Sequence, residues 1–142
     1  MQLAIASDHA GFDLKAIIIK EFQNQYQIID CGCDDSQTSV DYPDFAKKVA
    51  ESIINKKADF GILICGSGIG ISIAANRFKE VRAALCHNQK TAKLARQHND
   101  SNVLCFGARI IKAETAIKMV KASLNTAFEG GRHSKRVEKL SR

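Results

Sequence analysis

Cys65-Gly66-Ser67-Gly68-Ile69-Gly70 sets a thiol and a hydroxyl among three alternating glycines. The segment lies between an apolar run and a helical pattern. Glycines there let successive backbone N–H groups point one way at a helix start, which makes an anion cradle. Several chemistries compete for such a loop. A dinucleotide site requires Gly-x-Gly-x-x-Gly, but its third glycine position is Ile71, and no acidic residue ends the following strand. A cysteine-phosphatase loop carries an arginine inside the cradle, whereas the first one here is Arg77. A tight structural turn is a further alternative. The remaining reading is a thiol at the mouth of an oxyanion hole, where the positive helix end favours the thiolate as base or nucleophile.

Three other segments carry acid–base or anion-binding groups. Ser7-Asp8-His9-Ala10-Gly11 places a carboxylate beside an imidazole. Asp8 could grip a hydroxyl or move a proton, or serve only as a helix N-cap, and His9 at a helix start could donate to phosphate. His98-Asn99-Asp100 ends a helical stretch, where a lone histidine is either an acid or a surface residue. Gly130-Gly131-Arg132-His133-Ser134-Lys135-Arg136 holds two arginines four apart. On a helix they would share a face and clamp a phosphate; otherwise they are a solvated basic tail.

The elements that must position these groups alternate. Leu3–Ala6, Gln27–Cys31, Phe60–Cys65, Arg82–Cys86 and Asn102–Phe106 read as strands. Phe60–Cys65 is apolar almost throughout, as a strand buried on both faces of a parallel sheet must be. Helical spacing marks Ala10–Phe22, a stretch from Phe45 to Ile54 behind Pro43, Gly70 to about Arg77, Gln89–Gln97 and Ala113–Leu124. Alternating strands and helices predict an α/β fold. The expected form is a doubly wound parallel sheet of about five strands with helices on both faces, a Rossmann-like three-layer sandwich. The 142 residues suit one domain, 1–142, with a basic segment at 130–142. Ligands bind at the carboxyl ends of strands in such sheets. Ser7-Asp8-His9, Cys31 onward, Cys65–Gly70, His87-Asn88 and the stretch after Phe106 are therefore expected to meet around one crevice.

Composition narrows the class. The chain is 45% hydrophobic and 25% charged, with no apolar run of membrane-spanning length and no secretory pattern. Its five cysteines, an odd number, suit reduced thiols in a cytoplasmic setting, and most of them suit a core role. None lies at metal-ligand spacing with a histidine or carboxylate, so no metal and no cofactor is expected. The net charge of +6 is scattered and aromatics are only 6%, which disfavours a nucleic-acid platform; an anionic small molecule fits, and a solvated basic surface is the default for most of the lysines.

Together, S-D-H-A-G, C-G-S-G-I-G-I-S-I-A-A-N, H-N-D-S-N-V-L and G-G-R-H-S-K-R-V, in this order, resemble the ribose-5-phosphate isomerase B family, which includes galactose-6-phosphate isomerase subunits. The likeness spans the chain. Ser67 stands where the family more often has threonine, and the hydroxyl survives. The intact cysteine and glycine loop favour the ribose enzyme of the non-oxidative pentose phosphate pathway over the galactose branch. The resemblance implies Cys65 as the base, Gly66, Ser67, Gly68, Ile69 and Gly70 as the oxyanion cradle, and Ser67 as proton relay. It implies His98 with Asp8 in ring opening, and His9, Arg109, Arg132 and Arg136 on phosphate, with Asn99 on the sugar. It also implies a metal-free reaction and a homodimer, or dimer of dimers, with shared sites. An isomerase of allose or galactose 6-phosphate, or a phosphate-binding module without turnover, are the alternatives.

Overall fold

The chain folds around five parallel strands: β1 (Gln2–Ser7), β2 (Gln27–Asp30), β3 (Phe60–Cys65), β4 (Ala83–Leu85) and β5 (Val103–Gly107), in the order β2-β1-β3-β5-β4. The structure, a computed structural model, describes residues 1–141. Six helices connect or follow the strands: α1 (Phe12–Phe22), α2 (Tyr42–Ile54), α3 (Ile69–Ala75), α4 (Gln89–Asn99), α5 (Ala113–Leu124) and α6 (Ser134–Leu140). None of the described helices is long and apolar enough to cross a membrane. This is the doubly wound α/β arrangement expected from the alternation of strand and helix patterns.

The pleat divides the core in two. Leu3, Ile5, Ile62, Ile64, Leu104 and Phe106 pack against Leu14, Ile18 and Phe22 of α1 and against α4 and α5. The intervening Ala4, Ala6, Leu63, Cys65, Val103 and Cys105 pack under Phe45, Ala46, Val49 and Ala50 of α2 and Ile71 and Ala75 of α3. Each buried isoleucine or leucine contributes about 1.5–3 kcal/mol relative to exposure. A one-residue slip would exchange these two sets of side chains, so the register Ile5↔Ile62 and Ser7↔Ile64 is strongly specified. The same register opposes Cys65 to Gly107, leaving no side chain on β5 beside the thiol.

Several boundaries differ from the sequence reading, and local hydrogen bonds explain them. The first helix begins at Phe12 because the Asp8 carboxylate accepts from the Gly11 N–H and closes a 3-10 turn over His9–Gly11. The α3 helix stops at Ala75, short of Arg77. Asn76 leaves it to pair with the backbone of Ala83, donating at 2.9 Å and accepting at 2.8 Å. The β4 strand is only three residues long, whereas α4 runs on to Asn99.

Lys15 is only 1% exposed. Its ammonium donates to Asp30 Oδ1 at 2.6 Å and to the Cys33 carbonyl at 2.8 Å, tying α1 to the loop after β2. That loop continues to Val40, whose N–H donates to His9 Nδ1 at 3.2 Å. Removing a buried cation strands its partners, although Asp30 is half exposed and is partly rescued by water. Lys15→Ala is expected to cost about 2–4 kcal/mol in urea denaturation. A loss within the range of an exposed ion pair, under about 1 kcal/mol, would show that this tie does not hold the loop.

Candidate active site

The crevice forms where the chain reverses its direction of winding, between β1 and β3. From β1 the chain moves outward to β2, and from β3 it moves to the other side of the sheet. Splayed connections at such a point leave a cleft at the carboxyl edge. Asp8 from the end of β1, Cys65 and the following loop from β3, and Arg109 from beyond β5 line a cavity of about 500 Å³. Tyr42 and Ile110 complete its wall.

Within it the thiol and the amides are already organised. The Gly68 N–H donates to Cys65 Sγ at 3.1 Å, and the Ile69 N–H donates to Ser67 Oγ at 3.2 Å. Gly68 holds φ +78°, and a Cβ there would lie 2.6 Å from the Phe106 carbonyl carbon. Only glycine fits both constraints. The β5 segment braces the loop from behind, the N–H groups of Ala108 and Arg109 donating to the carbonyls of Cys65 and Gly66 at 2.8 and 3.0 Å. The Arg109 guanidinium lies over Gly66, where a Cβ would sit 2.9 Å from Nη1. A thiol, amides, an exposed guanidinium and a carboxylate that is 7% exposed thus surround one space. That set can abstract a proton, stabilise the oxyanion that results and hold an anionic group.

Burial pushes the Cys105, Cys86 and Cys31 thiols above their ordinary value, Cys105 the most. All five cysteines are free. Near the end of β2, a larger cavity of about 630 Å³ is lined by Cys31, Cys33, Asp34, Asp35 and Lys48. Its Asp35 is held below the usual carboxylate range by the N–H groups of Thr38 and Gln37. That carboxylate belongs to a turn and is committed to it.

Of the expected residues, Asp8, Cys65, Gly66, Ser67, Ile69, Gly70 and Arg109 line the cavity, Gly68 underlies it and His9 adjoins Asp8. The ends of β2 and β4 do not join them, so only three of the five strand ends converge; Asn88 is spent capping α4. His98, Asn99, Arg132 and Arg136 form a second group elsewhere. The α4 helix runs antiparallel to the strands and ends beside residues 100–102, which enter β5 where the Gly61 N–H meets the Asn102 carbonyl. His98 is therefore at the amino edge, a helix length or about 15 Å from the carboxyl edge. The pairing of His98 with Asp8 expected from sequence does not exist within one chain.

At the amino edge His98 stacks on His133, ring centroids 4.4 Å apart and planes inclined by 13°. Glu129 Oε2 lies 3.9 Å from His98 Nε2 and 3.7 Å from His133 Nε2. Burial, with the added positive potential of His98 and Arg132, holds the His133 imidazole below its ordinary value. Tyr42, Ile110, Glu129 and His133 were not picked out from sequence. Tyr42 and Ile110 had no signal. Glu129 and His133 are visible only once the tail folds back, the Glu129 N–H donating to the Gln97 carbonyl at 3.0 Å.

Comparison with known proteins agrees with this architecture. The family model for Ribose/Galactose Isomerase matches residues 3–140. Ribose-5-phosphate isomerase B of Escherichia coli is 45% identical over 141 residues, 99% of this chain and 94% of that protein. A ribose 5-phosphate isomerase structure from Thermotoga maritima superposes with a TM-score of 0.96 at 48% identity, covering 99% of this chain and 97% of that one. Ribose-5-phosphate isomerase B of Mycoplasma genitalium, solved with bound ribulose-5-phosphate, gives 0.94 at 45% identity, covering 99% and 94%. The chain belongs to the ribose/galactose isomerase family.

The two glycines that close the cradle should tolerate a methyl group differently. Gly68→Ala meets backbone at a positive φ and is expected to abolish ligand binding and destabilise the fold, by about 2 kcal/mol or more. Gly70→Ala meets the Tyr42 ring first, at 2.5 Å, and that half-exposed side chain can swing aside. The variant should fold normally with weakened binding. Thermal melts and ligand titration of both variants check this, and equal tolerance would remove the constraint assigned to Gly68.

Proposed function

We propose that this chain interconverts D-ribose 5-phosphate and D-ribulose 5-phosphate through a cis-enediolate. The observation that carries the reading is the Cys65 thiol held by the Gly68 N–H of the glycine loop, with Asp8 and Arg109 at the same cavity. Membership of the ribose/galactose isomerase family and the likeness to a protein solved with ribulose-5-phosphate support it.

Isomerisation transfers a proton between adjacent carbons while negative charge builds on oxygen. Cys65 takes the proton from C2 of the open aldose and returns it to C1. Loop amides hold the developing enediolate oxygen, and preorganised donors stabilise that charge more than the neutral carbonyl that precedes it. Ser67 carries a proton between the two substrate oxygens. Its Oγ accepts from the Ile69 N–H, which leaves the hydroxyl proton free to point at substrate. Arg109 and His9 hold phosphate.

The furanose ring must first open, and His98 supplies the proton for that step, assisted by Asp8. The acid reaches the thiol only from a second copy of the chain, so we infer a homodimer with composite sites. Four half-exposed apolar side chains, Tyr42, Ile69, Ile73 and Ile110, surround or adjoin the Cys65 cavity and offer a surface for that copy. Arg132 in the 3-10 turn Gly131–His133 and Arg136 in α6 would come with His98, as would Asn99, to complete the phosphate and sugar contacts. Free thiols fit a reducing, cytoplasmic setting.

Ribose 5-phosphate, allose 6-phosphate and galactose 6-phosphate assayed side by side test the substrate, with turnover expected for the first. Turnover of only a six-carbon substrate would overturn the pentose assignment. Cys65→Ala is expected to lose about 10²–10⁴-fold. It should also stop solvent exchange at C1 of ribulose 5-phosphate, followed by NMR in D₂O. His98→Asn should turn over cyclic ribose 5-phosphate poorly yet keep exchange from the open ketose. Equal failure of both would refute the division of labour.

Composite sites make a further demand. Mixed and refolded together, Cys65→Ala and His98→Asn chains form hybrids in which one site regains both groups. Activity should therefore reappear in the mixture. Hybrids detected by native mass spectrometry but inactive would place both residues in one chain's site.

A further inference from the structure

The geometry points to a site for a divalent transition-metal ion such as Zn²⁺ at His98, Glu129 and His133, which would withdraw His98 from acid–base work when filled. The three ligand atoms lie within 4.8 Å of one another, the one such group among the described residues. From sequence no such cluster is visible, because Glu129 lies in the segment after α5 and only folding brings it to the end of α4.

Two imidazole nitrogens and one carboxylate are the donor set of open zinc sites, with a fourth position left for water or a ligand oxygen. Bond lengths of 2.0–2.2 Å on a tetrahedral ion place neighbouring donors about 3.3 Å apart. The carboxylate–imidazole separations are 3.7 and 3.9 Å and the group spans up to 4.8 Å, so closure needs the stacked His98 and His133 rings to splay until both lone pairs meet at one ion, a movement of about 1–1.5 Å. The frame is already tied: the Glu129 backbone is bonded to Gln97, next to His98, and the His133 side chain is 9% exposed. His98 and Glu129, at 39% and 49%, leave the site open to an incoming ion. Imidazole donors prefer zinc, copper or nickel over magnesium or calcium. Arg132 and Arg136 oppose a cation, so the affinity should be moderate and an anion in the fourth position should strengthen it.

The inhibitory half of this inference rests on the isomerase reading; the binding half does not. Zn²⁺ is titrated into the full chain by calorimetry, and the four histidines are followed through their imidazole resonances. Expected are one ion per chain, movement of the His98 and His133 resonances, and affinity at least tenfold weaker in Glu129→Gln, which keeps every thiol. Movement of His9 or His87 instead, unchanged affinity in Glu129→Gln, or no binding would overturn the site. In the isomerase assay Zn²⁺ should inhibit and EDTA restore full turnover. Binding at this site without inhibition upholds the site and overturns the role given to His98. Activity that requires Zn²⁺ overturns withdrawal.

Discussion

All five strands run in one direction, and that parallelism gives the molecule two chemically different edges. Strand ends and helix starts gather at one edge, helix ends and strand starts at the other. The carboxyl edge collects Asp8, Cys65 and the glycine loop. The amino edge collects His98, Asn99 and the returning tail. No local rearrangement of a loop moves a residue between them, since a buried strand and a packed helix stand in the way. The need for a second copy of the chain, if both groups serve one reaction, follows directly from the direction of the sheet.

Within the carboxyl edge, the pleat does the next part of the positioning. The isoleucines and leucines of one face and the smaller residues of the other leave β3 a single register, and Cys65 is the last residue of that pattern. The loop after it must turn at once, within reach of β5, and Gly68 at positive φ permits this. The α3 helix that follows is only seven residues long, cut short by the pairing of Asn76 with β4. The donor facing the thiol is therefore an amide of the loop, that of Gly68, and not the end of a long helix.

The amino edge holds a histidine between an aromatic ring and a carboxylate. His98 is half exposed but not free, because its ring lies against His133 and faces Glu129. Stacking limits its rotation, and the Glu129 carboxylate lies 3.9 Å from its Nε2. The same two neighbours are the other donors of the metal site proposed above.

Much of the fold was legible in the chain. Phe60–Cys65 and Ala113–Leu124 have the observed limits, because continuous burial and a clear helical stripe each leave one solution. The cradle was legible too, since glycine spacing after a buried strand constrains the backbone locally. Helix ends set by a single side chain, as Asp8 sets the first and Asn76 the third, were not, because their partners are remote or compete with the helical bond. The crevice was read too broadly, with five strand ends where three converge. Sequence by itself determined which residues could do chemistry and that they ride on a parallel α/β sheet, because residue type and hydrophobic period are local properties. Only the tertiary structure decided which of them meet, placing His98 apart from Cys65 and beside Glu129 and His133. Helix direction and the return of the tail are properties of packing, and no spacing along the chain encodes them.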